Sequence, residues 1–433
     1  MNRSNVDSNL VILGGGLSAI YAAYKLSKDR PTIIFGQEEI GGILNSYKWK
    51  NYYVDNGCHF FDGNGEHIEF FKIVGGTEEH EVKYGSFNQG KLTNEIATPE
   101  INNTQMIKDA INELKNLENY EHNNIYKEES LKDILIRKFG IICGTYLSDV
   151  QQKFTGQVSE KIRANEFKKF SVFHRIRIGN DEISNDLKKS SSYLEDIICS
   201  SLESRGLPKY QKSMYPKNYG SMGFVINSKK YLAKNNINTL NNFNIEKIKY
   251  VNGCFEIYSS SGSTFRTNII ISTLPFGLLS KLLGYKNESL PQFIHYRMVL
   301  LEINKKDILD TYYVQDFDTK NHTYRSSNMG YYSNQVSDDG STFVMSEIPY
   351  FESLQNVNID KIKNELVTHG LLKEKSKILD YTFYDKKNVV PINTTTQKIN
   401  LPNNFYSIDS GAFSAKDKLS NIDLISVNLN NVF

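Results

Sequence analysis

The chain is poor in the features that sort a protein quickly. Its 433 residues include only four cysteines, Cys58, Cys143, Cys199 and Cys254, none at CxxC spacing. That excludes a disulfide framework and leaves reduced core thiols, as expected of a cytoplasmic protein. An excess of one charge sign is lacking too. The 51 basic and 49 acidic residues leave a formal net charge of +2, with no long basic block that would call for a nucleic-acid partner. No apolar run approaches a membrane span and no basic-then-apolar leader opens the sequence, so neither a transmembrane segment nor a secretion signal is expected. The eight histidines lack metal-ligand spacing. Gly65-Glu-His-Ile-Glu69 and Glu78-Glu-His-Glu81 are not HExxH and read as solvated acidic faces, so no metal is expected. GxSxG, a Ser/His/Asp arrangement, a P-loop lysine and internal repeats are missing as well.

What remains is an ordinary globular composition, 39% hydrophobic and 23% charged, long enough for two lobes with a substantial core. One stretch stands out. Leu10-Val-Ile-Leu-Gly-Gly-Gly-Leu-Ser-Ala19 reads as a buried strand, a tight glycine turn and a helix from Leu17 to about Lys28. Gly14-x-Gly16-x-x-Ala19 fits the dinucleotide fingerprint. The first glycine makes the turn, the second lets the backbone approach a pyrophosphate, and the small third residue lets helix pack on strand. Leu17, Ser18 and Ala19 open the helix, where free N–H groups and the helix dipole favour phosphate. The competing reading is a plain glycine-rich strand–helix turn. Thr32-Ile-Ile-Phe35 is the second strand, and Gly41-Gly42 marks another close backbone approach.

Farther along, Tyr52 to Phe61 is strand-rich and interrupted by Gly57. From about Thr104 to Arg205 the pattern turns helical, with Ile107, Ile111 and Leu114 at helix spacing. Ser130-Leu-Lys-Asp133 is a capping-box signal for a helix closing at Lys138-Phe139-Gly140. Strand patterns return at Phe243–Tyr258, Asn268–Ser272, Arg297–Glu302 and Thr342–Glu347. The last segment carries helix-spaced Ile422, Ile425, Leu429 and Val432, which predicts that the C-terminus folds back on the nucleotide-binding lobe.

Taken in order, these elements resemble the FAD-dependent superfamily of amine oxidases, protoporphyrinogen oxidases and UDP-galactopyranose mutases. The resemblance rests on Val11-Ile-Leu-Gly-Gly-Gly-Leu-Ser-Ala19 and Ile40-Gly-Gly42. It continues with Tyr53-Val-Asp-Asn-Gly-Cys-His-Phe60 as a D-x-G-x-H-x-F strand, Lys153-Phe-Thr-Gly156 as K-x-W-G, Tyr215-Pro-Lys-Asn-Tyr-Gly220 as YP-x-GG, and Ile270-Ile-Ser-Thr-Leu-Pro275. Tyr324-Arg325 and Ser346-Glu347 echo the oxidase and mutase branches.

The resemblance implies an α/β fold: a discontinuous Rossmann-like FAD-binding domain, and a mixed α+β substrate domain with a helical insertion. The implied boundaries are 1–100, 206–285 and 396–433 for the first domain, and 101–205 with 286–395 for the second. It implies FAD as cofactor, contacted by Gly14, Gly16, Leu17, Ser18, Ala19, Gly41, Gly42, Asp55, Gly57, His59, Ile245, Thr273, Gly411 and Asp423. His59, Tyr324 and Arg325 are the implied catalytic residues. For His59 a hydrogen-bonded core histidine competes, and for Arg325 an ion pair competes with a grip on an anionic substrate.

Two departures accompany the likeness. The family's second strand ends in a ribose-binding glutamate; here Phe35 and Gly36 stand there, with no carboxylate before Glu38. Its late Gly-Arg is here Ser410-Gly411, although the following motif persists as Asn421-Ile-Asp423. Two functions stay open. One is a flavoenzyme using redox or reduced-flavin chemistry on a small polar substrate, whether a sugar nucleotide of polysaccharide biosynthesis, an amine or a porphyrinogen. The other is a degenerate flavoprotein scaffold with a binding role and weak or no FAD binding.

Overall fold

A computed structural model describes residues 6–57, 60–63, 65–117, 129–209, 212–285, 292–353, 356–393, 400–409 and 415–430. The chain divides into two units. The first comprises residues 1–79, 214–290 and 395–433, and the second 80–213 and 291–394.

The first unit is built on the run Leu10-Val-Ile-Leu13. In the Ser8–Leu13 strand, parallel neighbours lie on both sides: Thr32–Ile34, and the later part of Thr264–Ser272. Asn238–Leu240 extends the sheet beyond Thr32–Ile34, and Phe405–Ser407 joins parallel to Thr264–Ser272. Side chains alternate across this sheet, so a continuous apolar run serves two cores. Leu10, Ile12, Ile33 and Ile271 pack on one face beneath the helices; Val11, Leu13, Ile34 and Ile270 pack on the other. All eight are buried, each worth about 1.5–3 kcal/mol of transfer free energy. The Leu17–Lys25 helix covers the first face through Ala19, Ile20, Ala22 and Ala23, and the C-terminal Ala415–Asn430 helix packs against it with Leu419, Ile422 and Leu429 buried.

The second unit pairs seven strands in the order Ile378–Ile392, Gln292–Asn304, Ser341–Tyr350, Arg325–Ser327, Tyr313–Asp316, Tyr84–Asn88, Lys91–Asn94. Residues 80–100 therefore belong here, not to the first unit as the sequence reading had it. The reason is pairing: Tyr84–Asn88 lies parallel to Tyr313–Asp316 and forms a hairpin with Lys91–Asn94. The later segment of the first unit likewise runs 214–290 instead of 206–285.

A helical layer completes the second unit. Its longest helix, Leu131–Thr155, starts on the Ser130–Asp133 capping box and breaks at Gly140, whose φ of 80° is left-handed. The helix does not close there. Glu113 accepts from the N–H groups of Ile141 and Ile142 at 2.5 and 2.8 Å, recapping the second half. Near its end Lys153 pairs with buried Asp316 at 2.9 Å and donates to the Asp318 carbonyl at 2.7 Å. His369 meets the other Asp316 oxygen at 2.9 Å. Burial opposes the Asp316 charge, yet Lys153 and His369 more than offset it and hold the carboxyl below its usual range.

Candidate functional site

In the first unit the strand ends bring several expected residues together. Gly14 takes φ of +110°, and its N–H donates to the Ile34 carbonyl at 2.9 Å. Thr273 closes over it: backbone N–H and hydroxyl both reach the Leu13 carbonyl at 2.9 Å, and any Cβ on Gly14 would collide with that hydroxyl. The second glycine pair crosses the turn. Gly41 N–H donates to the Gly15 carbonyl at 2.6 Å, and a Cβ on Gly42 would come within 2.9 Å of Gly16 Cα. Gly41 and Gly42 have φ of +131° and +58°, which side chains rarely adopt.

Gly16 itself differs. Its φ of −86° and ψ of −173° suit any residue, and a Cβ there would meet nothing within 4 Å. Nothing within the protein requires glycine at this point; open space lies in front of it. Beyond it Leu17, Ser18 and Ala19 begin the helix, with no acidic side chain in the first turn and no side-chain cap. Their N–H groups have no intrahelical partners.

The neighbouring strand end is occupied differently. Phe35 is buried, and its ring lies so close to Gly15 that a Cβ there would sit 3.0 Å from Phe35 Cγ. Phe243 N–H donates to the Phe35 carbonyl at 3.0 Å, and Asn242 N–H to that of Gln37 at 3.0 Å. Ile245, opening the next strand, packs onto the core that holds Leu13, Ile34 and Phe243.

Other expected cofactor contacts turn out to be committed to the protein. Asp55 is fully buried and accepts from Tyr215 Oη at 2.5 Å, Ser221 Oγ at 2.7 Å, Ser221 N at 2.9 Å and Ser46 Oγ at 3.1 Å. It thereby caps the Ser221–Lys234 helix, and burial pushes its pKa up to about 6 against the pull of those donors. Asp423 is likewise a pin between helices: Tyr21 Oη at 2.6 Å, Lys25 Nζ at 2.9 Å and His67 Nε2 at 3.1 Å converge on it. Gly57 has φ of +127°. His59, Cys58 and Gly411 lie outside the described residues. Among the described residues no His/Cys/Asp/Glu cluster could hold a metal, and no helix is long and apolar enough to cross a membrane.

In the second unit Arg325 forms a bidentate pair with Glu347, Nε–Oε1 2.6 Å and Nη2–Oε2 2.9 Å, across adjacent strands. Of the two readings of Arg325, the structure contains the ion pair. Tyr324 packs edge-on to Phe154 with centroids 4.3 Å apart, its ring 5.5 Å from the Arg325 guanidinium. Tyr296 and Lys386 share this neighbourhood and escaped the sequence reading. Lys386 sits in the polar stretch Tyr384-Asp-Lys-Lys387, and its ammonium is buried. Strand alternation in Ile378–Ile392 was the one signal that would have turned it inward.

Residues 12–74 match the model of the NAD(P)-binding Rossmann-like domain family. No curated protein matches the chain by sequence. Solved structures do match in shape. The reduced form of UDP-galactopyranose mutase superposes with a TM-score of 0.66 at 14% identity, over 90% of this chain and 84% of that one. A protein of Exiguobacterium sp. 255-15 provisionally named protoporphyrinogen oxidase gives 0.64 at 12%, over 99% and 100%. Putrescine oxidase bound to putrescine gives 0.62 at 11%, over 98% and 99%. The chain shares its fold with these three proteins. At such identities it is the fold that is shared.

Within that fold the diphosphate half of a dinucleotide suits the first unit: a glycine turn, open space at Gly16 and unpartnered helix N–H groups. The ribose half suits it less. A carboxylate at the end of the second strand accepts ribose hydroxyls, and the Phe35 ring offers no acceptor.

Proposed function

We propose that the chain is a flavoprotein whose first unit holds the diphosphate of FAD against Gly16 and the Leu17–Lys25 helix, and whose second unit binds a small polar substrate. The observation that carries this reading is Gly16. Its backbone is unstrained and a Cβ there would meet nothing within 4 Å, so glycine there serves an approach from outside the chain. Gly14, Gly41 and Gly42, by contrast, are explained by the fold itself. When bound, the flavin supplies electron or hydride transfer, or nucleophilic chemistry in its reduced form. The protein's part is to bind, orient and exclude water.

Phe35 favours a second reading, in which the scaffold persists and FAD is held weakly or not at all. Titration of the purified protein with FAD, followed by flavin absorbance and fluorescence, separates the two. Saturable uptake supports the flavoprotein; no flavin band and no uptake support the scaffold. Gly16→Val supplies the control. It fits the vacant space, so it should fold and lose uptake, and unchanged uptake would refute the placement of the diphosphate.

A further inference from the structure

The second unit carries a buried cation without a counter-ion. Residues paired directly across strands share a face of the sheet, and following the register across five strands assembles one polar row. Lys386 pairs with Tyr296, which pairs with Pro349. Glu347, two residues before Pro349, is on that same face and pairs with Arg325, which pairs with Gln315. Ser327 follows Arg325 by two.

Three members of this row have buried polar atoms with no hydrogen-bond partner among the described residues: Lys386 Nζ, Ser327 Oγ and Gln315 Oε1. The acid whose charge acts on Lys386 is Glu347, but both of its oxygens are taken by Arg325. The Arg325–Glu347 pair is neutral as a unit, so within this row the one remaining charge is the positive charge of Lys386; the acids of the same face, Glu302 and Asp380, lie three register pairs farther along the strands. Burial accordingly holds the Lys386 amine down, to about 8. An ammonium buried without a partner is costly. A hydroxyl and an amide oxygen left unbonded on the same face add to that cost.

We propose that this sheet face is a binding site for an anionic small molecule, its carboxylate or phosphoryl group paired with Lys386 and its polar groups met by Ser327 and Gln315. As a statement about substrate class it rests on the flavoprotein reading; as a statement about an anion site it stands on the second unit alone. Lys386 lies at one end of the row and Gln315 four strands away, about 19 Å at strand spacing. The ligand thus has its anionic group at one end and hydroxyl or amine groups toward the other. Lys386 decides specificity, because a neutral or cationic group at its place would leave the ammonium unpaired.

Calorimetric titration with two probes, inorganic phosphate and acetate, tests this on the full chain. The wild type is expected to bind at least one, with at least 10-fold weaker binding of that probe in Lys386→Met. Phosphate alone assigns a phosphoryl ligand and acetate alone a carboxylate. Lys386→Met should melt no lower than the wild type, since it removes an unpaired charge; if it melts early, Lys386→Gln takes its place. Failure of both probes with the wild type, or equal binding by the Lys386 variants, overturns the proposal. Phosphate binding lost in Gly16→Val and kept in Lys386→Met overturns it too, while supporting the glycine-turn site. Failure of the flavin reading shows separately, as no FAD uptake by the wild type.

Discussion

The two units organise their candidate sites by opposite means. In the first, the site is backbone: a turn at Gly14, a crossing by Gly41 and Gly42, an opening at Gly16 and three helix N–H groups. In the second it is side chains projecting from a sheet: Lys386, Tyr296, the Arg325–Glu347 pair, Ser327 and Gln315. A backbone site demands particular small residues at short spacing. A side-chain site demands only that distant strands align. The first kind changes slowly and reports a fold; the second is free to take on a new ligand while the fold persists.

The comparison breaks most sharply at Gly16. Gly16→Phe should reduce FAD affinity more than about 100-fold, the loss expected when a steric block costs over about 3 kcal/mol, with the melting temperature nearly unchanged. Equilibrium dialysis against FAD checks it, and retained affinity would place the diphosphate elsewhere. Next comes Arg325→Ala, which leaves Glu347 buried and unpaired. Breaking a buried pair from one side costs about 3–5 kcal/mol, so unfolding in denaturant should show a loss of that order. A loss under about 1 kcal/mol would mean the pair is solvent-screened.

The effect of Asp55 is smaller and set by pH. Burial raises its folded pKa to about 6 from the ordinary aspartate value of 3.8, so the fold favours the protonated form. That contribution is fully present below about pH 4 and is lost as pH rises through about 6. At about 1.4 kcal/mol per unit it amounts to about 3 kcal/mol. Relative to Asp55→Asn, the wild type should therefore lose stability between pH 4 and 7, and a pH-independent difference would contradict the burial argument. Smallest is Phe35→Glu, which offers the missing acceptor. A charged hydrogen bond is worth about 1.5–3 kcal/mol, so FAD should bind roughly 10-fold tighter despite a lower melting temperature. No gain would mean that the ribose does not approach the Thr32–Ile34 strand end.

Sequence and structure agree best where local chemistry decides the outcome. The apolar run at Leu10–Leu13, the turn at Gly14 and the helix start at Leu17 are legible because periodicity and glycine act within a few residues. Ser130 capped its helix as its spacing predicts. Gly140 shows the limit: it broke the helix, but Glu113, 28 residues before Ile141, restarted it. Asp55 and Asp423 were legible as polar residues of a familiar pattern, yet their roles depend on Tyr215 and Tyr21, at separations of 160 and 402 residues. Residues 80–100 fell to the second unit because strand pairing, which no local signal records, took them there.

By itself, then, the sequence determined a dinucleotide-type turn and the order of the elements around it. Strand length, glycine position and helix start are local properties of the chain. Tertiary structure alone decided which glycine faces empty space, which acids are caps and pins, and which lysine is buried without a partner. Each of those depends on what a residue meets across the fold, and burial and pairing are properties of neighbours that the chain brings together only when folded.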